Sequence, residues 1–186
     1  MKTKQVIFFL LMITFFALGS KSYAQRRVVN TPHRTIVKSP RGTVVYRKTP
    51  VVHSVNSLPK TAVVIHYNNH PYYYHSGVYY ISSNGVYIRT APPAGIRIVT
   101  LPAGYTRVVV GSSVYFYYSG VFYIPDETNK EYVVTNPPKG AIIYELPSEA
   151  AEIEIDGKSY MEYNGVIYKP VHTEKPGYEV VGKLDD

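Results

Sequence analysis

Three imidazoles, His66, His70 and His75, fall within ten residues of one another, beside Asn68 and Asn69. On adjoining strands of a hairpin, two such side chains can reach one Zn²⁺ or Cu²⁺, ions that accept neutral imidazole nitrogen. No acid or cysteine lies nearby to complete a ligand set, so solvated turn histidines are the simpler reading. A second set, Glu152, Glu154 and Asp156, alternates along one stretch and shares a strand face. Calcium would need further oxygens converging from other segments. A solvated acidic face, or a landing place for basic residues, is expected instead. A third set is cationic: Arg26, Arg27, Arg34, Lys38, Arg41, Arg47 and Lys48 crowd one short stretch and suit an anionic partner.

Catalysis has little to work with. The imidazoles are His33, His53, His66, His70, His75 and His172, and none sits in an H-E-x-x-H run; no G-x-S-x-G or phosphate-cradling glycine loop occurs either. The chain has no cysteine, which removes thiolate metal sites, cysteine nucleophiles and disulfides together. No catalytic residue is assigned, no cofactor is expected, and the chain reads as a non-enzyme. The 20 tyrosines, with Arg89, Arg97 and Arg107 among them, could stack bases or sugars, but tryptophan is absent. Core packing accounts better for most of the rings, and no nucleic-acid partner is expected.

Lys2 and Lys4 precede an uncharged, predominantly apolar run from Val6 to Leu18, followed by Gly19, Ser20 and a small-residue stop at Ala24. That is the pattern of a secretory signal peptide over residues 1–24. The run has 13 residues, whereas a membrane-spanning helix needs about 20. Export to the periplasm or outer surface is predicted, with no transmembrane segment after cleavage.

Charge divides sharply along the chain. All 13 acidic residues lie at or after Asp126, whereas 14 of the 20 Lys and Arg lie before it. A basic half joined to an acidic half predicts either an anionic envelope polymer as partner or self-association between the halves.

Residues 25–57 hold Pro32, Pro40 and Pro50 with no sustained periodicity, and read as a basic, flexible arm containing β-prone pieces such as "TVVY". From residue 58 to 186 a repeat dominates. Leu58-Pro59, Leu101-Pro102 and Leu146-Pro147 are spaced by 43 and 45, and Gly77, Gly120 and Gly165 keep the same spacings. These marks define units of about 58–100, 101–145 and 146–186. Two-residue turns punctuate each unit, at Asn68-Asn69, Gly111-Ser112 or Asp156-Gly157, then at Ser76-Gly77, Ser119-Gly120 or Asn164-Gly165. The turns set the pairing: Tyr73 with Tyr80, Phe116 with Tyr123, Met161 with Tyr168. "SEAAEIE" at 148–154 has helix-favouring composition and is expected to form one turn leading into "EIEI". The predicted fold is all-β, three tandem repeats of about 45 residues built as short antiparallel meanders and hairpins, with about a dozen strands.

The motifs "YFYYSGVFY", "NPPKGAIIYELP" and "VVVGSSVYFYY" resemble an uncharacterised family of exported Gram-negative bacterial proteins defined by a domain of unknown function. The resemblance covers about residues 58 to 186 and implies a secreted protein, with no site residues to carry over. The order "LP", "EIEIDG", "YMEYNG", "VIY" and "GYEVVG" is also similar to bacterial SH3-like domains. That likeness implies small closed barrels that bind peptides or cell-wall polymers. The expected role is binding or assembly in the cell envelope. A periplasmic metal-binding or stress-response protein using His66, His70 and His75 is the alternative, and an unrecognised enzyme the third.

Overall fold

The computed structural model describes residues 27–31, 34–39, 42–47 and 52–184. The predicted signal peptide lies outside them. Among the described residues no helix is long and apolar enough to cross a membrane.

The first sheet is a meander of β5 (Val63–Tyr67), β6 (His70–His75), β7 (Val78–Ser83) and β8 (Val86–Thr90), with β4 (Ser54–Val55) added beside β8. The second holds β10 (Thr106–Val110), β11 (Ser113–Tyr118), β12 (Val121–Asp126) and β13 (Glu131–Thr135), with β9 (Arg97–Ile98) beside β13. The third holds β15 (Ala151–Ile155), β16 (Lys158–Tyr163), β17 (Val166–His172) and β18 (Pro176–Lys183), with β14 (Ile142–Ile143) beside β18. Its other edge is extended by β3 (Gly42–Tyr46), β2 (Arg34–Ser39) and β1 (Arg27–Thr31), which makes eight strands. Among the described residues all pairing is antiparallel and every sheet stays open.

Two expectations are corrected, the closed barrels and the number of strands. The SH3-like likeness implied closed barrels, but among the described residues no strand returns to seal either edge of a sheet. The described residues of the 25–57 arm hold four strands, β1 to β4, and its β-prone piece "TVVY" pairs Val44, Val45 and Tyr46 with Ile155, Glu154 and Ile153. The single turn expected to lead into "EIEI" is there, Ala150 N–H donating to the Pro147 carbonyl at 2.9 Å, and β15 begins directly after it at Ala151. Among the described residues eighteen strands replace the dozen, the surplus coming from the arm and from strands of two residues.

Those two-residue strands decide how the sheets are joined. β9 follows the first meander in sequence but pairs with the second sheet, Tyr132 opposite Ile98, and β14 pairs with the third, Ile143 opposite Tyr178. Buried residues anchor both crossings: Ile96, Ile98, Ala141 and Ile143. The second and third sheets are therefore each completed by the segment that leaves the one before, and the Leu-Pro marks do not coincide with sheet boundaries.

Alternation along the strands gives the middle sheet two buried faces. Tyr123 and Phe116 face the first sheet, packing with Tyr79, Tyr74 and Ile96, while Tyr117 and Phe122 face the third, packing with Tyr163, Tyr168 and Val180. Tyr46, Ile153 and Ala151 form a smaller cluster on the far side of the third sheet. The hairpin glycines lie at these joints. A Cβ on Gly77 would enter the Tyr118 ring, and one on Gly120 would lie 2.5 Å from Tyr163 Cδ1. Pro102 and Pro147 close the same two contacts. Gly165 has no following sheet, and a Cβ there meets nothing within 4 Å. The tyrosine-lined hairpin recurs because its glycine tip is the seat for a tyrosine from the next hairpin.

Candidate functional site

The three sheets meet at Arg89. It is carried on β8 of the first sheet; its Nη2 donates to Ser119 Oγ, in the β11–β12 turn, at 2.9 Å. Its Nη1 is bonded to Glu149 Oε1 in the turn ahead of β15. Both side chains are well covered, at 21% and 10% exposure. They form one wall of a cleft of about 360 Å³ that also involves Tyr46, His53, Glu162 and Asn164.

The electrostatics of the cleft follow from burial and partners. Burial works to raise the Glu149 pKa, but a backbone hydrogen bond, the Arg89 charge, the Ser148 hydroxyl and His53 outweigh it and hold the carboxyl below its usual range. Glu162 is a buried polar residue on β16, and burial pushes its pKa up. The Gly165 N–H donates to its Oε1 at 2.5 Å and offsets part of that shift. Burial also raises Tyr163, against the pull of the Arg89 charge. Arg89 is thus already engaged on both terminal nitrogens, so an anion entering the cleft would have to compete with Glu149 for its charge. Of the two carboxyls there, Glu162 is the more easily protonated.

The predicted metal residues do not converge. Tyr67 stands opposite His70, which puts His66 and His70 on opposite faces of the first sheet. His75 Nδ1 instead lies 3.3 Å from Thr61 Oγ1, and among the described residues no group of three or more His, Cys, Asp or Glu could hold a metal.

Of the basic set, Arg26, Arg41 and Lys48 lie outside the described residues. Arg27, Arg34 and Lys38 occupy β1 and β2. Arg47 reaches back to the acidic strand, 3.3 Å from Glu152 and 3.6 Å from Glu154. All three side chains are about half exposed, so each of these pairs contributes at most about 1 kcal/mol. The turn residues lie in the left-handed region: Asp156 and Gly157 at φ 50° and 75°, Asn164 and Gly165 at 51° and 81°, Gly77 and Gly120 at 86° and 88°. Ser76 and Ser119 share it, at 47° each.

Two of the three arginines offered as neighbours of a stacking platform are ion-paired. Besides Arg89, Arg97 Nη1 donates to Asp126 at 2.6 Å and Glu131 at 3.1 Å. Hydrogen bonds from Asn129 and Arg97 hold the Asp126 carboxyl far below the usual range. The Arg89–Glu149–Glu162–Tyr163 cluster escaped sequence reasoning. Its partners are 60 residues apart at the ion pair, and nothing local marks Glu149 as covered.

No curated protein and no solved structure matches the chain. A family model does, over residues 10–183, and it spans the arm, all three sheets and the Arg89 junction. On that match the chain belongs to the family of unknown function DUF6515.

Proposed function

We propose that the protein is exported and acts in the cell envelope by binding and assembly rather than catalysis, its basic N-terminal strands engaging an anionic polymer. The observation that carries this reading is the register of β1 on β2, where Arg27 stands directly opposite Lys38. Like charges directly opposite in a ladder are destabilising, and a phosphate or carboxylate laid across them removes the cost. No acidic residue precedes Asp126 to serve that purpose locally. The strand order ends at β1, so Arg27 belongs to the edge strand of the eight-stranded sheet and Lys38 to the strand beside it. Arg89, held by Glu149 and Ser119, has no such need, which favours the rim over the cleft as the anion site.

The test is retention on immobilised lipopolysaccharide at rising salt. Exposed charge contacts weaken as the Debye length shrinks, so the protein should elute at moderate salt. The combined Arg27→Ser, Arg34→Ser, Lys38→Ser variant should elute much earlier with its melting temperature intact. Retention indifferent to salt, or unchanged in that variant, sinks the anionic-partner reading. Mass spectrometry of the envelope fraction should find a chain beginning at Gln25; an unprocessed chain confined to the cytosol sinks the export reading.

A further inference from the structure

The leading edges of the three sheets are β5, β10 and β15, and they are defended unequally. β15 is covered by β3 of the same chain. β10 carries Arg107, and a charge on an edge strand discourages pairing with another chain. β5 reads Val63-Val64-Ile65-His66-Tyr67 with no formal charge at neutral pH, and Val63 and Val64 are 57% and 46% exposed.

The backbone of β5 is set up for a partner. A two-residue turn makes Tyr67 and His70 a hydrogen-bonded pair, so Ile65 with Tyr72 and Val63 with Tyr74 are hydrogen-bonded pairs too. The N–H and C=O groups of Val64 and His66 therefore point away from β6. We propose that the chain pairs with a second copy of itself through β5, antiparallel, about a twofold axis at Ile65. That axis sets Val64 opposite His66 of the partner subunit, and His66 opposite the equivalent valine. Both are pairs whose free groups face each other, giving four backbone hydrogen bonds and one continuous ten-stranded sheet. Twofold dimers are the commonest closed assembly, and strand addition at an open edge is a recurrent mode of recognition.

Charge argues for this occupant over a neighbour's basic arm. On β15 the incoming β3 is followed by Arg47, which finds Glu152 and Glu154. By the spacing of the repeat, Val64 and His66 take the places of those two carboxylates on β5. A donated arm would bring its cation to an edge with no acid, whereas β5 of a second copy brings none. The inference does not depend on the anionic-partner reading, and its contact should persist at salt that strips the protein from a polyanion.

Sedimentation of the chain from Gln25 onward at high salt tests it. The weight-average mass should double as concentration rises. Val64→Pro deletes an outward N–H while leaving the β5–β6 ladder intact, and should hold the protein monomeric. Val64→Lys should do the same, and stands in if the proline variant fails to fold. Val109→Lys, on the exposed side of β10, should leave the dimer unaffected. A wild-type chain that stays monomeric throughout, a Val64→Lys variant that still dimerises, or a Val109→Lys variant that does not, each overturns the proposal.

Discussion

Gly120 and Gly165 offer a comparison in which backbone conformation is matched and packing is not. Their φ angles are 88° and 81°, so alanine meets the same left-handed strain at both. That strain costs about 1–2 kcal/mol. At Gly165 the new methyl enters open space. At Gly120 it must displace the Tyr163 ring, which is buried between the second and third sheets. Overpacking of this kind adds about 1–3 kcal/mol. In a domain of this size each kcal/mol lowers the melting temperature by about 2–4 °C. Gly165→Ala should therefore melt a few degrees below wild type and Gly120→Ala roughly twice as far below. Urea titration of both, and of each combined with Tyr163→Leu, is the assay. The coupling between Gly120→Ala and Tyr163→Leu should reach about 1–2 kcal/mol, because the leucine vacates the overlapped space. Coupling between Gly165→Ala and Tyr163→Leu should be near zero. Equal losses at the two glycines, or equal couplings, would show that the hairpin tip is not a seat for the next hairpin's tyrosine.

Three further outcomes follow from the buried groups. Tyr79 and Tyr123 share a buried hydroxyl contact at 3.3 Å, but Phe122 occupies the Tyr79 position at the next joint, and the Tyr168 hydroxyl is buried with no protein partner among the described residues. Tyr168→Phe should stabilise by about 1 kcal/mol and Tyr123→Phe should destabilise by a similar amount, read by urea titration; a loss in both counts against the pairing. The folded-state pKa of Glu162 is raised, so its ionised form penalises folding above that pKa, and the penalty fades as pH falls toward the ordinary glutamate value. Glu162→Gln should be the more stable protein at neutral pH, with its advantage shrinking on acidification; an advantage that grows in acid would reverse the sign. Arg89→Met should cost about 1.5–3 kcal/mol by leaving Glu149 covered and unpaired, and adding Glu149→Leu should recover most of it in thermal melts.

Pairing inside each meander was legible from the sequence because a two-residue turn fixes the first pair and a period of two fixes the rest. Tyr74 opposite Tyr79, Tyr117 opposite Phe122 and Tyr163 opposite Val166 all follow from the position of one glycine. Asn84-Gly85, with φ of 49° and 80°, carried the same signal between β7 and β8. The joins between sheets were not legible: a strand of two residues has no period to read, and nothing in "GIRI" or "GAII" says which neighbour it will pair with. The separation of His66 from His70 was recoverable, since the Asn68-Asn69 turn already sets Tyr67 opposite His70 and alternation does the rest. The Arg89 junction was not, because it depends on how whole sheets stack.

The two-residue strands also fix where the protein could be cut or lengthened. A piece excised from Leu101 onward would forfeit β9 and bare one side of β13, whereas a piece starting near Pro92 would keep the second sheet's full complement. Any transplantable module in this architecture starts at Pro-Pro, and insertions placed at Leu-Pro would sever a seam.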